Sequence, residues 1–182
     1  MTRVLHRRGP DAEGLFIDSK GGAGLGHRRL SIIDLGGGRQ PMSSADDRVH
    51  AVVNGEIYNF KELRQELKSL GHIFKSNSDS EVVLHGYVQW GLDMVRRLDG
   101  MFALAVWDCA SRKLLLARDR MGKKPLYYAF VGPGRDTLIF ASELKALAAH
   151  PDLDREIDPS ALAAYLSYEC LPEDKAIYRQ AH

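Results

Sequence analysis

Apolar residues recur at two different spacings along the chain, and the elements change where the spacing does. Leu15-Phe16-Ile17 reads as a short strand, and Ala23 to Leu25 followed by Leu30 to Ile33 as another that bends near its arginines. Val49 to Val53 forms a stronger strand pattern. After it, Phe60, Leu63, Leu67 and Leu70 fall at helical spacing until Gly71 stops the helix. Between the two, Asn54-Gly55-Glu56 is predicted to turn the strand directly into the helix, Asn-Gly being a common turn dipeptide. His72 to Lys75 returns to extended chain. Ser78 or Asp79 can cap the next helix, whose apolar side carries Val82, Val83, Tyr87 and Trp90 before Gly91 ends it.

The second half has more strand. Met101 to Trp107 and Lys113 to Arg118 read as a hairpin through Asp108 to Arg112, and Leu126 to Phe130 and Thr137 to Ala141 as another across Gly132-Pro133-Gly134. Helical spacing resumes at Leu144, Leu147 and Ala148, and again at Leu162, Tyr165 and Leu166 after Asp158-Pro159, a helix-start pair. The pattern is that of a mixed α/β chain with largely antiparallel strands in two layers.

Composition narrows the picture by exclusion. At 182 residues, with 45% apolar and 27% charged side chains, the chain has the size and balance of one soluble domain. A net charge of +1 gives no electrostatic argument for nucleic acid or a membrane as partner. Cys109 and Cys170 are too few for a disulfide framework and have no zinc-site spacing, so no metal is expected and a reducing cytoplasm fits. No apolar run approaches the ~20 residues that span a bilayer, and the basic start lacks a signal core.

Candidate chemistry begins in Ala51-Val52-Val53-Asn54-Gly55-Glu56-Ile57-Tyr58-Asn59. An Asn amide, a Gly that lets backbone approach a ligand, and a charged Glu near a helix start can build an oxyanion or amino-acid pocket. Around it stand Arg8-Gly9-Pro10-Asp11, His27-Arg28-Arg29-Leu30-Ser31-Ile32-Ile33-Asp34, Ser78-Asp79-Ser80-Glu81, Arg118-Asp119-Arg120-Met121-Gly122-Lys123-Lys124-Pro125-Leu126-Tyr127-Tyr128 and Phe140-Ala141-Ser142-Glu143-Leu144-Lys145-Ala146-Leu147. In this order the motifs resemble the class II glutamine amidotransferase domain of glutamine-hydrolysing asparagine synthetases, from about residue 6 to the C-terminus.

The resemblance implies an α+β fold, the four-layer αββα sandwich of N-terminal nucleophile hydrolases. Residues 1–182 would be the amidotransferase domain, and 160–182 the start of the connection to an ATP-dependent synthetase domain outside this chain. It also assigns roles. Arg29 would pair with the α-carboxylate of glutamine and Asp79 with its α-ammonium, chemistry that suits a bidentate guanidinium and a carboxylate. The backbone of Leu30, Ser31, Ile32 and Ile33 would line the pocket, Asn54 and Gly55 would form the oxyanion hole, and Glu56 would help hold the amino end. Arg28, next to Arg29 in extended chain, faces the other way. Arg118-Asp119-Arg120 reads as a structural ion-pair cluster, Gly122 and Pro125 as turn formers, Tyr127 and Tyr128 as one inward and one outward residue, Glu143 and Lys145 as polar-face residues, and His6, His27 and His85 as surface or packing histidines.

One part implied by the resemblance has no counterpart here: an N-terminal Cys nucleophile on a strand upstream of Arg-Gly-Pro-Asp. Thr2 stands too close to Arg8 to leave room for that strand, and His6-Arg7 replaces the His that precedes Arg-Gly-Pro-Asp in the family. Cys109 and Cys170 are internal and lack an α-amino base. Either translation of the natural protein begins further upstream or amidase activity has been lost; the intact binding motifs favour the former. The expected function is a glutaminase domain supplying ammonia to ATP-activated aspartate, with ATP and Mg belonging to the synthetase domain and no cofactor of its own, and this polypeptide is expected to be inactive as a glutaminase. The alternatives are a non-catalytic glutamine-binding regulatory module and an assembly surface whose exposed sheet edge forms a homo-oligomer.

Overall fold

A computed structural model describes residues 1–30, 38–172 and 175–182. The chain forms two compact units, one of residues 6–124 and one of residues 1–5 with 125–182. In the first, strands β1 (Ala12–Asp18) and β2 (Ala23–Arg29) form an antiparallel hairpin. Strands β3 (Met42–Ser43), β4 (Val49–Ile57), β5 (Gly100–Asp108) and β6 (Lys113–Arg118) form an antiparallel sheet in that order. Helices α1 (Phe60–Ser69), α2 (Glu81–Trp90) and α3 (Met94–Arg97) connect β4 to β5.

Period-2 alternation explains how this sheet is covered on both faces. Val49, Ala51 and Val53 of β4, with Leu104 and Val106 of β5, join Leu63 and Leu67 of α1 and Val82 and Val83 of α2 in one buried cluster. On the other face His50 is buried against the hairpin, its ring stacked on Phe16 at 3.5 Å between centroids. Trp107 reaches the same hairpin and donates from Nε1 to the Asp18 carboxylate at 3.0 Å.

The second unit contains the antiparallel pair β7 (Tyr127–Val131) and β8 (Thr137–Ala141), followed by α4 (Leu144–Ala148) and α5 (Pro159–Tyr168). Ala129, Val131, Ile139, Leu147 and Leu153 form its core. Asp158 caps α5, accepting from the backbone N–H groups of Ser160 and Ala161, as Asp-Pro at a helix start leads one to expect. Tyr127 packs on the core and Tyr128 is exposed.

The structure corrects several expectations. Asn54-Gly55-Glu56 is not a turn: β4 runs on to Ile57, pairing Asn54 with Ala103, Gly55 with Phe102 and Glu56 with Met101. The ladder with β5 outweighs the turn preference of Asn-Gly, and the chain turns at Tyr58 and Asn59 instead. β2 ends at Arg29 rather than continuing through Leu30. Neither Ser78 nor Asp79 caps α2, whose N-cap is Ser80, because the Asp79 carboxylate is engaged by β4. His72 to Lys75 is irregular, and β3 and α3 were too short to leave a readable period.

Candidate functional site

Strand β2 delivers its two arginines to opposite faces, as alternation requires. Arg28 forms a cross-strand ion pair with Glu13 at 2.8 Å. Arg29 is buried, with only 8% of its surface exposed. Its guanidinium lies against the backbone of Gly38, where an added Cβ would sit 2.5 Å from Nη2 and 3.4 Å from the Cβ of Ser78. A side chain at position 38 would push the guanidinium from this place. The Arg29 head group therefore lies beside the Ser78-Asp79 segment, fifty positions further along the chain.

Asp79 is likewise buried, and its Oδ2 accepts the backbone N–H of Ile57 at 2.8 Å. That bond ties the carboxylate to the end of the Asn54-Gly55-Glu56-Ile57 strand. The loop carrying Asp79 is held from both helices. Arg64 of α1 donates to the carbonyls of Ser76 and Ser78 at 2.6 and 2.7 Å, and its guanidinium also lies over the Phe74 ring. Glu81 of α2 accepts from the N–H groups of Lys75 and Ser76 and from the Ser76 hydroxyl. Burial alone would raise the Glu81 pKa, but His85 and these donors outweigh it and lower the pKa to about 2, so the group is a carboxylate at neutral pH.

The third arm is β4 itself. Gly55 has φ +153, and a Cβ there would overlap the Met101 carbonyl oxygen on β5. Its lack of a side chain thus serves the close approach of the two central strands. Just before it, Val53 is held by a two-point clasp: Gln40 Oε1 accepts the Val53 N–H at 2.6 Å and Gln40 Nε2 donates to the Val53 carbonyl at 3.1 Å. His27 of β2 also bonds to the Val53 backbone. Its pKa is lowered to about 4, chiefly by burial and further by the Arg29 charge, with the Val53 bond opposing. His27 is a neutral ring at physiological pH.

Arg29, Asp79 and the Asn54 to Ile57 strand are thus gathered in one region, with Asn54 and Glu56 half-buried on it. Leu30 is 56% exposed; Ser31, Ile32 and Ile33 lie outside the described residues. A guanidinium and a carboxylate gathered in one region have the charges that suit the two ends of a zwitterion. Glu81 entered only as the last residue of the motif Ser78-Asp79-Ser80-Glu81, and Gln40, Gly38 and Arg64 were not singled out from sequence. Of these, only Arg64 had a usable signal, lying between Leu63 and Leu67 on the buried side of its helix.

Elsewhere, Asp119 does not form the expected ion pair. It is buried and accepts N–H groups from Phe102, Met121, Lys123 and Lys124, while Arg118 donates to the carbonyls of Gly122 and Lys124. Glu143 pairs with Lys145 at 2.6 Å. Cys109 lies six residues beyond Ala103, the partner of Asn54, about 20 Å along β5 at strand rise. Burial and the nearby Asp18 raise its thiol pKa. Cys170 follows α5 and is exposed. Among the described residues no group of three or more His, Cys, Asp or Glu could hold a metal, and no helix is long and apolar enough to cross a membrane.

The family model described as "Glutamine amidotransferase domain" matches residues 1–182. Asparagine synthetase [glutamine-hydrolyzing] 3 of Bacillus subtilis is 42% identical over 90% of this chain and 26% of its own length. Asparagine synthetase [glutamine-hydrolyzing] 2 of the same organism is 45% identical over 87% of the chain and 20% of its own length. Asparagine synthetase [glutamine-hydrolyzing] 3 of Arabidopsis thaliana is 44% identical over 81% and 25%. The chain thus spans about a quarter of the length of these relatives. Among solved structures, the glutamine phosphoribosylpyrophosphate amidotransferase of B. subtilis superposes with a TM-score of 0.59 and 26% identity, over 75% of this chain and 31% of that one. The chain has the α+β fold of the N-terminal nucleophile amidotransferases, with antiparallel sheets as expected.

Proposed function

This chain belongs to the glutamine amidotransferase domain family, and from that premise we propose that it binds L-glutamine between Arg29 and Asp79 as the ammonia-supplying half of an asparagine synthetase-like enzyme. The observation that carries the reading is the convergence of these two buried, oppositely charged side chains on one loop, beside the end of β4. Arg29 takes the α-carboxylate through its planar fork, and Asp79, oriented by the Ile57 N–H, takes the α-ammonium with Glu56 nearby. The side-chain amide then lies along β4, where Asn54 and the Gly55 N–H receive the oxyanion that forms when the amide carbon is attacked.

Hydrolysis converts glutamine and water into glutamate and ammonia, and the ammonia amidates an aspartate activated by ATP in a synthetase domain joined beyond residues 160–182. ATP and Mg act there, and the amidotransferase half uses no cofactor. The reading is supported by relatives named as glutamine-hydrolysing asparagine synthetases, which are about four times as long. We assign the reaction to the cytoplasm, in keeping with two free cysteines.

Among the described residues neither cysteine stands beside the binding groups. Cys109 is a strand-length away from Asn54, and its thiol holds its proton. The polypeptide as it stands therefore binds glutamine and does not hydrolyse it. Calorimetric titration with L-glutamine is expected to saturate at one ligand per chain and to weaken at least tenfold in Asp79→Asn, with no ammonia released. Equal affinity in wild type and variant would overturn the binding assignment, and steady ammonia release by this polypeptide would overturn the claim of inactivity.

A further inference from the structure

Away from the glutamine site, His72 and His85 bring two ring nitrogens face to face. Their Nδ1 atoms are 3.2 Å apart. His72 follows α1, and His85 lies one turn into α2. Each ring's other nitrogen is already committed. Nε2 of His85 lies 3.4 Å from the Glu81 carboxylate oxygen Oε1, and Nε2 of His72 lies 2.9 Å from the amide oxygen of Gln89. With Gln89 presenting its amide oxygen and Glu81 its carboxylate, the two Nε2 atoms are the donors. A neutral imidazole protonated at Nε2 presents a lone pair at Nδ1. Two such lone pairs in contact repel unless a cation lies between them.

We propose that His72 and His85 form a two-histidine site for a divalent transition-metal ion of the zinc class, bound through both Nδ1 atoms with water completing its coordination. Two nitrogens on one tetrahedral zinc at ~2.0–2.1 Å stand about 3.3–3.4 Å apart, close to the spacing already present. Hydrogen bonds from the remote ring nitrogens to a carboxylate and an amide are the support that ligating histidines ordinarily have, fixing tautomer and ring orientation. Imidazole donors suit zinc, nickel and copper rather than magnesium or calcium. The rings are half-buried, which leaves the metal a path from solvent. Phe74 packs on His85 at 4.3 Å and limits its rotation. The bound ion would clasp the start of the 72–80 loop to α2, on the same Glu81 that holds Lys75 and Ser76.

The test uses the full 182-residue chain with Cys109→Ser and Cys170→Ser, which removes the thiols as competing ligands. Chelator-treated protein titrated with zinc chloride is expected to saturate at one ion per chain and to unfold at a higher temperature. Ring ¹⁵N NMR should show both Nδ1 resonances shifting on zinc addition while both Nε2 atoms stay protonated. His72→Gln and His85→Gln, each checked for an unchanged circular dichroism spectrum, should weaken binding at least tenfold. Should either variant unfold, the ¹⁵N shifts of the parent protein decide. Lack of saturable binding, affinity unchanged by both substitutions, or zinc shifts confined to other histidines would overturn the proposal; a proton shared between the two rings without metal binding would overturn it too.

Discussion

Arg29 and Asp79 are held in ways that separate binding from folding. Asp79→Asn keeps an oxygen for the Ile57 N–H while removing the charge, so it should leave stability within about 1 kcal/mol and abolish most glutamine affinity. Arg29→Lys keeps the charge but loses the planar fork, and should weaken glutamine binding at least tenfold, measured by the same titration. Gly55 is the opposite case. Gly55→Ala drives a methyl group into the Met101 carbonyl and is expected to destabilise the fold by more than about 3 kcal/mol in urea denaturation, or to prevent folding. His27 gives a pH signature. Its pKa falls from 6.5 in the unfolded chain to about 4 in the fold, so its contribution is fully present above pH ~6.5 and is lost as pH falls through ~4. The size is roughly 3 kcal/mol. His27→Gln, which keeps a donor for Val53, should flatten the stability-against-pH curve in that window.

At the scale of elements, the 75–80 loop owes its shape to helices on either side of it. Arg64 and Glu81 supply charge-assisted bonds to five of its polar groups. Glu81→Gln should cost about 1–3 kcal/mol and speed hydrogen exchange at the Lys75 and Ser76 amides more than at the α2 core. This loop also marks how far the sequence could be read. Helix α1, the β5–β6 hairpin, the β7–β8 hairpin and the Asp158 cap were legible because each announces itself by a local period or a local residue pair. The run Asn54-Gly55-Glu56 was misread because its conformation is decided by β5, some forty-five residues away, and no local signal reports a distant partner. Arg118-Asp119-Arg120 was misread for a related reason. Its charges look complementary in sequence, yet Asp119 spends itself on four backbone N–H groups.

At the scale of the whole molecule, Arg29 and Asp79, the residues proposed to bind glutamine, were legible as candidates only as members of an ordered set of motifs. Periodicity places Arg29 on a strand and Asp79 before a helix, and says nothing of their meeting. At their meeting, the guanidinium lies against the backbone of Gly38 and the Ile57 N–H aims the carboxylate. The central claim is that these two groups read the two ends of one amino acid. It is tested most directly by titrating wild type, Arg29→Lys and Asp79→Asn with L-glutamine, with its α-amide and with N-acetyl-L-glutamine. The account requires wild type to bind L-glutamine and to lose at least tenfold with either analogue, Arg29→Lys to lose less than wild type when the carboxylate is removed, and Asp79→Asn to lose less than wild type when the ammonium charge is removed. Full additivity of substitution and analogue in both pairs would show that neither residue touches the end assigned to it, and would contradict the account.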